Sequence, residues 1–117
     1  MKYKVALIPG DGIGPELTET TLVVINAVQK RLGLDLKFIE LEAGDACFER
    51  RGVALPDDTI NAIKSSHVCI KGPVGETAAA VIVRLRMMFD LYANIRPIKA
   101  YPAVPCLRDD IDLVFVR

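Results

Sequence analysis

The chain has 117 residues, 51% of them hydrophobic, and its 15 Lys+Arg balance 15 Asp+Glu to a net charge of zero. With a mean hydropathy of +0.30 it has the apolar material for one globular core, and with no like-charge run longer than two it is expected to have no nucleic-acid or acidic-membrane partner. No apolar stretch is long enough for a secretory core or a membrane span, and Cys47, Cys69 and Cys106 lack the paired spacing of zinc or redox motifs, so they read as reduced thiols of a cytoplasmic protein.

Val5-Ala6-Leu7-Ile8 is wholly apolar and bounded by Pro9-Gly10, which predicts a strand buried on both faces, as in a parallel sheet. The turn Gly10-Asp11-Gly12-Ile13-Gly14 follows, with Pro15 suited to a first helical position and Glu16 to the positive end of the helix dipole. A helix is expected to Leu32, stopped by Gly33, with Leu17, Leu22, Val24, Ile25 and Val28 as its apolar stripe. A glycine turn between strand and helix invites comparison with the dinucleotide fingerprint, but Pro15 stands where the third glycine belongs. What remains is a loop of backbone amides at a helix N-terminus, able to approach a cofactor or an anion.

Leu36–Leu41 reads as the second strand, Asp45 as the cap of a short helix through Arg51, and Leu55-Pro56-Asp57-Asp58 as the start of another helix carrying Ile60, Ala62 and Ile63. His67 stands alone before the strand Val68-Cys69-Ile70 and reads as a strand-end residue rather than a ligand or base. Lys71-Gly72-Pro73-Val74-Gly75-Glu76 is a second glycine-rich loop, so two loops leave the C-terminal ends of two parallel strands, where ligands of open α/β sheets bind.

From Thr77 the pattern is an apolar helix to Asp90, then extended chain through Pro97. Ile82 and Val83 lie four and three residues before Arg86, close enough at helical spacing to share its face, and Arg96 follows ten residues later. Two guanidiniums beside an apolar wall suit a di-acid bearing an alkyl group. The same pattern fits a surface helix with solvated arginines, and spacing leaves both readings open. Arg84 is expected to point into solvent. The prolines at 97, 102 and 105 suggest an edge or connecting strand after Ile98, and Ile111–Arg117 reads as a further strongly apolar strand.

Ile8–Glu16, Lys71–Glu76, Leu85-Arg86 with Asp90–Pro97, and Asp112–Arg117, in this order and spacing, resemble the first third of the β-decarboxylating dehydrogenases, the family of isopropylmalate, isocitrate and homoisocitrate dehydrogenases. The resemblance implies an open, mostly parallel α/β sheet with helices on both faces that is not a Rossmann domain. Residues 1–117 would be the N-terminal part of the first domain of a longer two-domain enzyme. It further implies that Arg86, Arg96 and Arg117 grip the malate moiety, and that Gly12, Ile13, Gly14 and Glu76 lie at the nicotinamide end of NAD. Mg2+ or Mn2+ would be held by residues beyond Arg117, with no metal ligand and no catalytic residue in this chain, which alone would be inactive. The complete enzyme would be a homodimer.

In an ungapped comparison, isocitrate enzymes of that family place a serine and an asparagine at the positions of Ala80 and Ile82, and homoisocitrate enzymes an arginine at Val83. Their absence, and the apolar Ile82-Val83 pair, imply 3-isopropylmalate, the substrate of a step in leucine biosynthesis, with isocitrate or homoisocitrate as alternatives. A stand-alone regulatory or assembly module that keeps the substrate clamp is the alternative of another class.

Overall fold

Val5, Ala6, Leu7 and Ile8 are all buried in the computed structural model, which describes residues 2–117, so strand β1 (Lys2–Ile8) is covered on both faces. Each large aliphatic side chain buried there contributes about 1.5–3 kcal/mol. β1 lies between two parallel neighbours in the order β2-β1-β3. β2 (Asp35–Glu40) pairs from Lys2↔Asp35 to Leu7↔Glu40, and β3 (Val68–Lys71) from Val5↔Val68 to Ile8↔Lys71. The chain steps from β1 outward to β2, then back across β1 to β3. α1 (Gly14–Leu32) makes the first crossover, and α2 (Asp45–Arg51) with α3 (Asp57–Lys64) the second; for the right-handed crossovers usual between parallel strands, these two steps in opposite directions call for helices on opposite faces. This is the doubly covered parallel sheet that the sequence predicts.

The inner face of α1 differs from the expected stripe. Gly14 and Thr18 are buried and Leu22, Ile25 and Gln29 half-buried, whereas Leu17, Val24 and Val28 are exposed. A polar residue explains the rotation: the Gln29 side-chain oxygen accepts the Leu36 N–H at 2.9 Å, and its carbonyl accepts the N–H groups of Gly33 and Leu34. Gln29 therefore satisfies both the end of α1 and the start of β2. His67 fulfils its expected role as a strand-end residue. Its Nδ1 accepts the Lys4 N–H at 3.0 Å, its own N–H donates to the Lys4 carbonyl, and its ring stands edge-on to Tyr3.

The chain divides into two compact units, one through Arg84 and one from Leu85 onward. Where the sequence suggests one stretch of a single domain, the strands sort into separate sheets. In the first unit a π-helical segment, Ala79–Val83, follows the β3 loop and runs into the short helix α4 (Arg84–Met88), shorter than the helix expected over Thr77 to Asp90. In the second unit β4 (Ile95–Lys99) and β5 (Asp112–Val116) form an antiparallel pair from Ile95↔Val116 to Lys99↔Asp112. β4 begins within the extended stretch read through Pro97 and ends near the start of the edge or connecting strand read from Ile98, and the chain turns at Tyr101–Val104. Every residue of β4 and β5 is exposed, so β5 pairs as predicted from its apolar run but is not buried within this chain.

Candidate functional site

In the second unit the C-terminus of α4 brings Arg86 toward the β4–β5 pair. Asp90 adopts the left-handed conformation (φ +49), and the Leu91 N–H donates to the Arg86 carbonyl at 3.0 Å, the six-to-one bond of a Schellman ending. Asp90 thus terminates the helix, as expected. Asn94 and Arg117 exchange both backbone hydrogen bonds, at 2.9 and 3.0 Å, adding one rung to the ladder. A cavity of about 470 Å³ opens beside that rung, lined by Arg86, Leu91, Ala93, Asn94, Ile95 and Arg117. Arg96 does not line it, but its Nε donates to the Asn94 side-chain oxygen at 3.1 Å.

Electrostatics separates these arginines from others in the chain. Arg50, Arg51, Arg84 and Arg108 each pair with a carboxylate, whereas among the described residues Arg86, Arg96 and Arg117, like Arg31 at the exposed end of α1, form no ion pair. Two guanidiniums without a counter-ion thus border one cavity, with a third tied to its wall through Asn94.

In the first unit the two glycine loops interlock. The Asp11 N–H donates to the Pro73 carbonyl at 2.8 Å; Gly10 makes this approach possible, because it adopts φ +81 and a Cβ there would strike the Pro73 oxygen. The Asp11 carboxylate accepts the N–H groups of Asp45, Ala46 and Gly75 at 2.8, 3.1 and 3.2 Å. Asp45 does not cap its own helix as predicted. Its carboxylate crosses to the β3 loop and accepts the Glu76 N–H, the Thr77 N–H and the Thr77 hydroxyl at 2.8, 2.8 and 2.6 Å. These donors, the Thr77 hydroxyl foremost, hold the Asp45 carboxyl below the usual carboxylate range. On the rim, Gly12 has open space where a side chain would stand, Ile13 is 65% exposed and Glu76 is exposed.

The residues proposed as an alkyl wall occupy the π-helical segment. Ile82 is half-buried, and Val83, 53% exposed, lines an apolar groove with Phe48, Val53, Ala80 and Arg84. Arg84 is exposed, as expected, but its guanidinium is also tied to the first unit. It donates to the Leu55 carbonyl at 3.3 Å and pairs with Asp57 at 3.5 Å. Neither Cys47 nor Cys69 is poised as a nucleophile, because burial pushes both thiols up in pKa. Among the described residues no group of three or more His, Cys, Asp or Glu could hold a metal ion, and no helix is long and apolar enough to cross a membrane. Sequence reasoning missed Asn94, Asp11 and Asp45 as site residues. Asp11 and Asn94 lie within the quoted motifs and Asp45 outside them, and the partners of all three depend on chain pairings that the sequence does not show.

Comparison with known proteins identifies the family. The family model described as isocitrate/isopropylmalate dehydrogenase matches residues 4–117, and the chain belongs to that family. It is 53% identical over 114 residues to a 3-isopropylmalate dehydrogenase of Methanothermobacter thermautotrophicus, covering 97% of this chain and 33% of the relative. It is 49% identical to that of Saccharolobus solfataricus, covering 100% and 35%. An isocitrate/homoisocitrate dehydrogenase of Thermus thermophilus is 42% identical, covering 100% and 35%. The crystal structure of isocitrate dehydrogenase from Methylococcus capsulatus superposes with a TM-score of 0.84 at 36% identity, over 97% of this chain and 34% of that one. The chain thus spans about a third of the length of the relatives it matches.

Proposed function

We propose that these residues are the N-terminal third of an NAD-dependent, β-decarboxylating dehydrogenase acting on 3-isopropylmalate in leucine biosynthesis, cytoplasmic and homodimeric when complete. The observation that carries this reading is the cavity shared by Arg86 and Arg117, whose guanidiniums have no counter-ion among the described residues. In this reading the two arginines, with Arg96, bind the carboxylates of the malate moiety and fix its orientation. The names of the relatives favour isopropylmalate, and so does the Ile82-Val83 pair, which offers an alkyl group apolar contact and an extra carboxylate no partner.

The rim of the first unit fits the nicotinamide end of the cofactor. Gly12 leaves room for a flat ring to approach the backbone, Ile13 offers an apolar surface, and Gly14 follows at the start of α1. Glu76 adds an acceptor for a carboxamide. When bound, the nicotinamide supplies a hydride acceptor for the substrate's C2. In this reading the family's Mg2+ or Mn2+ is held by residues of the longer enzyme beyond Arg117. Residues 1–117 alone are expected to turn over no substrate.

The test is a specificity swap in the full-length enzyme. Ile82→Asn with Val83→Arg should shift the kcat/KM ratio from isopropylmalate toward a tricarboxylic substrate such as isocitrate by about 10- to 100-fold. Arg31→Ala, at the exposed end of α1, is the control and should leave the ratio unchanged. Equal loss on both acids in a folded double variant removes Ile82 and Val83 from the pocket.

A further inference from the structure

The start of α2 and the loop that leads into the π-helical segment are each held by a carboxylate from elsewhere in the chain. Asp11 caps α2 from 34 residues away in sequence, and Asp45 holds Glu76 and Thr77, the two residues before the N-cap of the π-helical segment, from 31 and 32 residues away. Both links pass through one residue. The Asp45 backbone N–H is held by Asp11, while its carboxylate holds the loop that carries Glu76. Two successive N–H groups and a hydroxyl directed into one carboxylate leave the backbone at Glu76 and Thr77 little freedom. The close approach is built in at Gly75, because a Cβ there would collide with the Asp45 carboxylate.

From this we infer that Asp45 is a positioning residue for the cofactor rim: it sets Glu76 beside the Gly12–Gly14 turn, and Asp11 keeps it in place. This rests on the assignment of that rim to the nicotinamide, and it adds a second layer that helix stability alone does not require. The two carboxylate oxygens divide the work, since Oδ2 takes the Glu76 N–H while Oδ1 takes the Thr77 N–H and hydroxyl.

That division gives a selective test in the full-length enzyme, read by amide hydrogen exchange and by direct nicotinamide-cofactor binding. Asp45→Ala should speed exchange at both Glu76 and Thr77 by about tenfold or more and weaken cofactor affinity about tenfold, with the KM for the di-acid changed less than about twofold. Asp45→Asn should free the Glu76 amide and leave Thr77 protected. Gly75→Ala should mimic Asp45→Ala, and in the Asp45→Ala background it should add little, because the collision is gone. Unchanged exchange at Glu76 in Asp45→Ala overturns the inference, as does parallel loss of cofactor and di-acid affinity in a folded protein. Exchange and cofactor binding do not depend on which acid is oxidised, so a wrong choice of substrate leaves a different signature.

Discussion

Among the described residues two non-glycine residues stand in the left-handed region, and they do so for different reasons. Asp90 ends α4 at φ +49, a conformation that Asp tolerates through its short polar side chain. Ala103 has no such help. Tyr101-Pro102-Ala103-Val104 closes with the Val104 N–H on the Tyr101 carbonyl at 3.2 Å, with Pro102 second and Ala103 third at φ +64, the pattern of a type II turn that prefers glycine in third place. The left-handed penalty for alanine, about 1–2 kcal/mol, exceeds the entropic cost of glycine, about 0.5–1 kcal/mol. Ala103→Gly should therefore stabilise the second unit by roughly 0.5 kcal/mol, and Asp90→Gly by less, as read from urea unfolding. A lowered midpoint for Ala103→Gly would contradict the turn assignment. At this scale the arginines of the proposed clamp could be singled out in the sequence because their chemistry shows in the residue type and the motif. Asn94 and Asp45 were not, since Asn94 is defined by its ladder partner Arg117 and Asp45 by donors on a distant loop.

Among the elements, β1, β2, β3, α2 and α3 follow from the apolar runs and their glycine and proline boundaries. The inner face of α1 does not, because Gln29 is placed inward by a hydrogen bond rather than by hydropathy. The π-helical turn was also hidden. It coincides with Val81-Ile82-Val83, three successive β-branched residues that crowd an α-helical turn. α2 and α3 are joined by an ion pair in which Arg51 donates to both oxygens of Asp58, at 3.2 and 3.1 Å. That guanidinium, before any other cause, holds the Asp58 carboxyl below the usual carboxylate range. A carboxyl with a depressed folded-state pKa contributes stability that is fully present above its unfolded value, near pH 4, and is lost as pH falls through the folded one. The Tm difference between the native protein and Asp58→Asn should be constant above about pH 5 and shrink below about pH 4. A difference that grows on acidification would reverse the sign and exclude the pair as its source.

For the molecule as a whole, the two units differ in how their backbone is protected. β1 has a hydrogen-bonded neighbour on each side and buried side chains on both faces, so its amides exchange only when the first unit opens broadly. β4 and β5 have only each other. Leu113 and Phe115 alternate with Val114 and Val116, apolar residues on both faces, and even Phe115 remains 55% exposed. A two-stranded pair of this kind is marginally stable in water until a further strand or layer covers it, and in the proposed longer enzyme the remaining two thirds would supply that cover. In the 117-residue chain the amides of β4 and β5 should therefore exchange at least about 100-fold faster than those of Ala6 and Leu7 in β1. Because Arg117 pairs with Asn94 at the end of this ladder, the arginine cavity should share that fragility. A saturating dicarboxylate such as malate should slow exchange in β4 and β5 while leaving β1 unchanged. Equal protection of the two sheets without ligand would mean that they open in one cooperative step and that the hairpin needs no further cover. Slowing in β1 but not in β4–β5 would place the anion outside the arginine cavity.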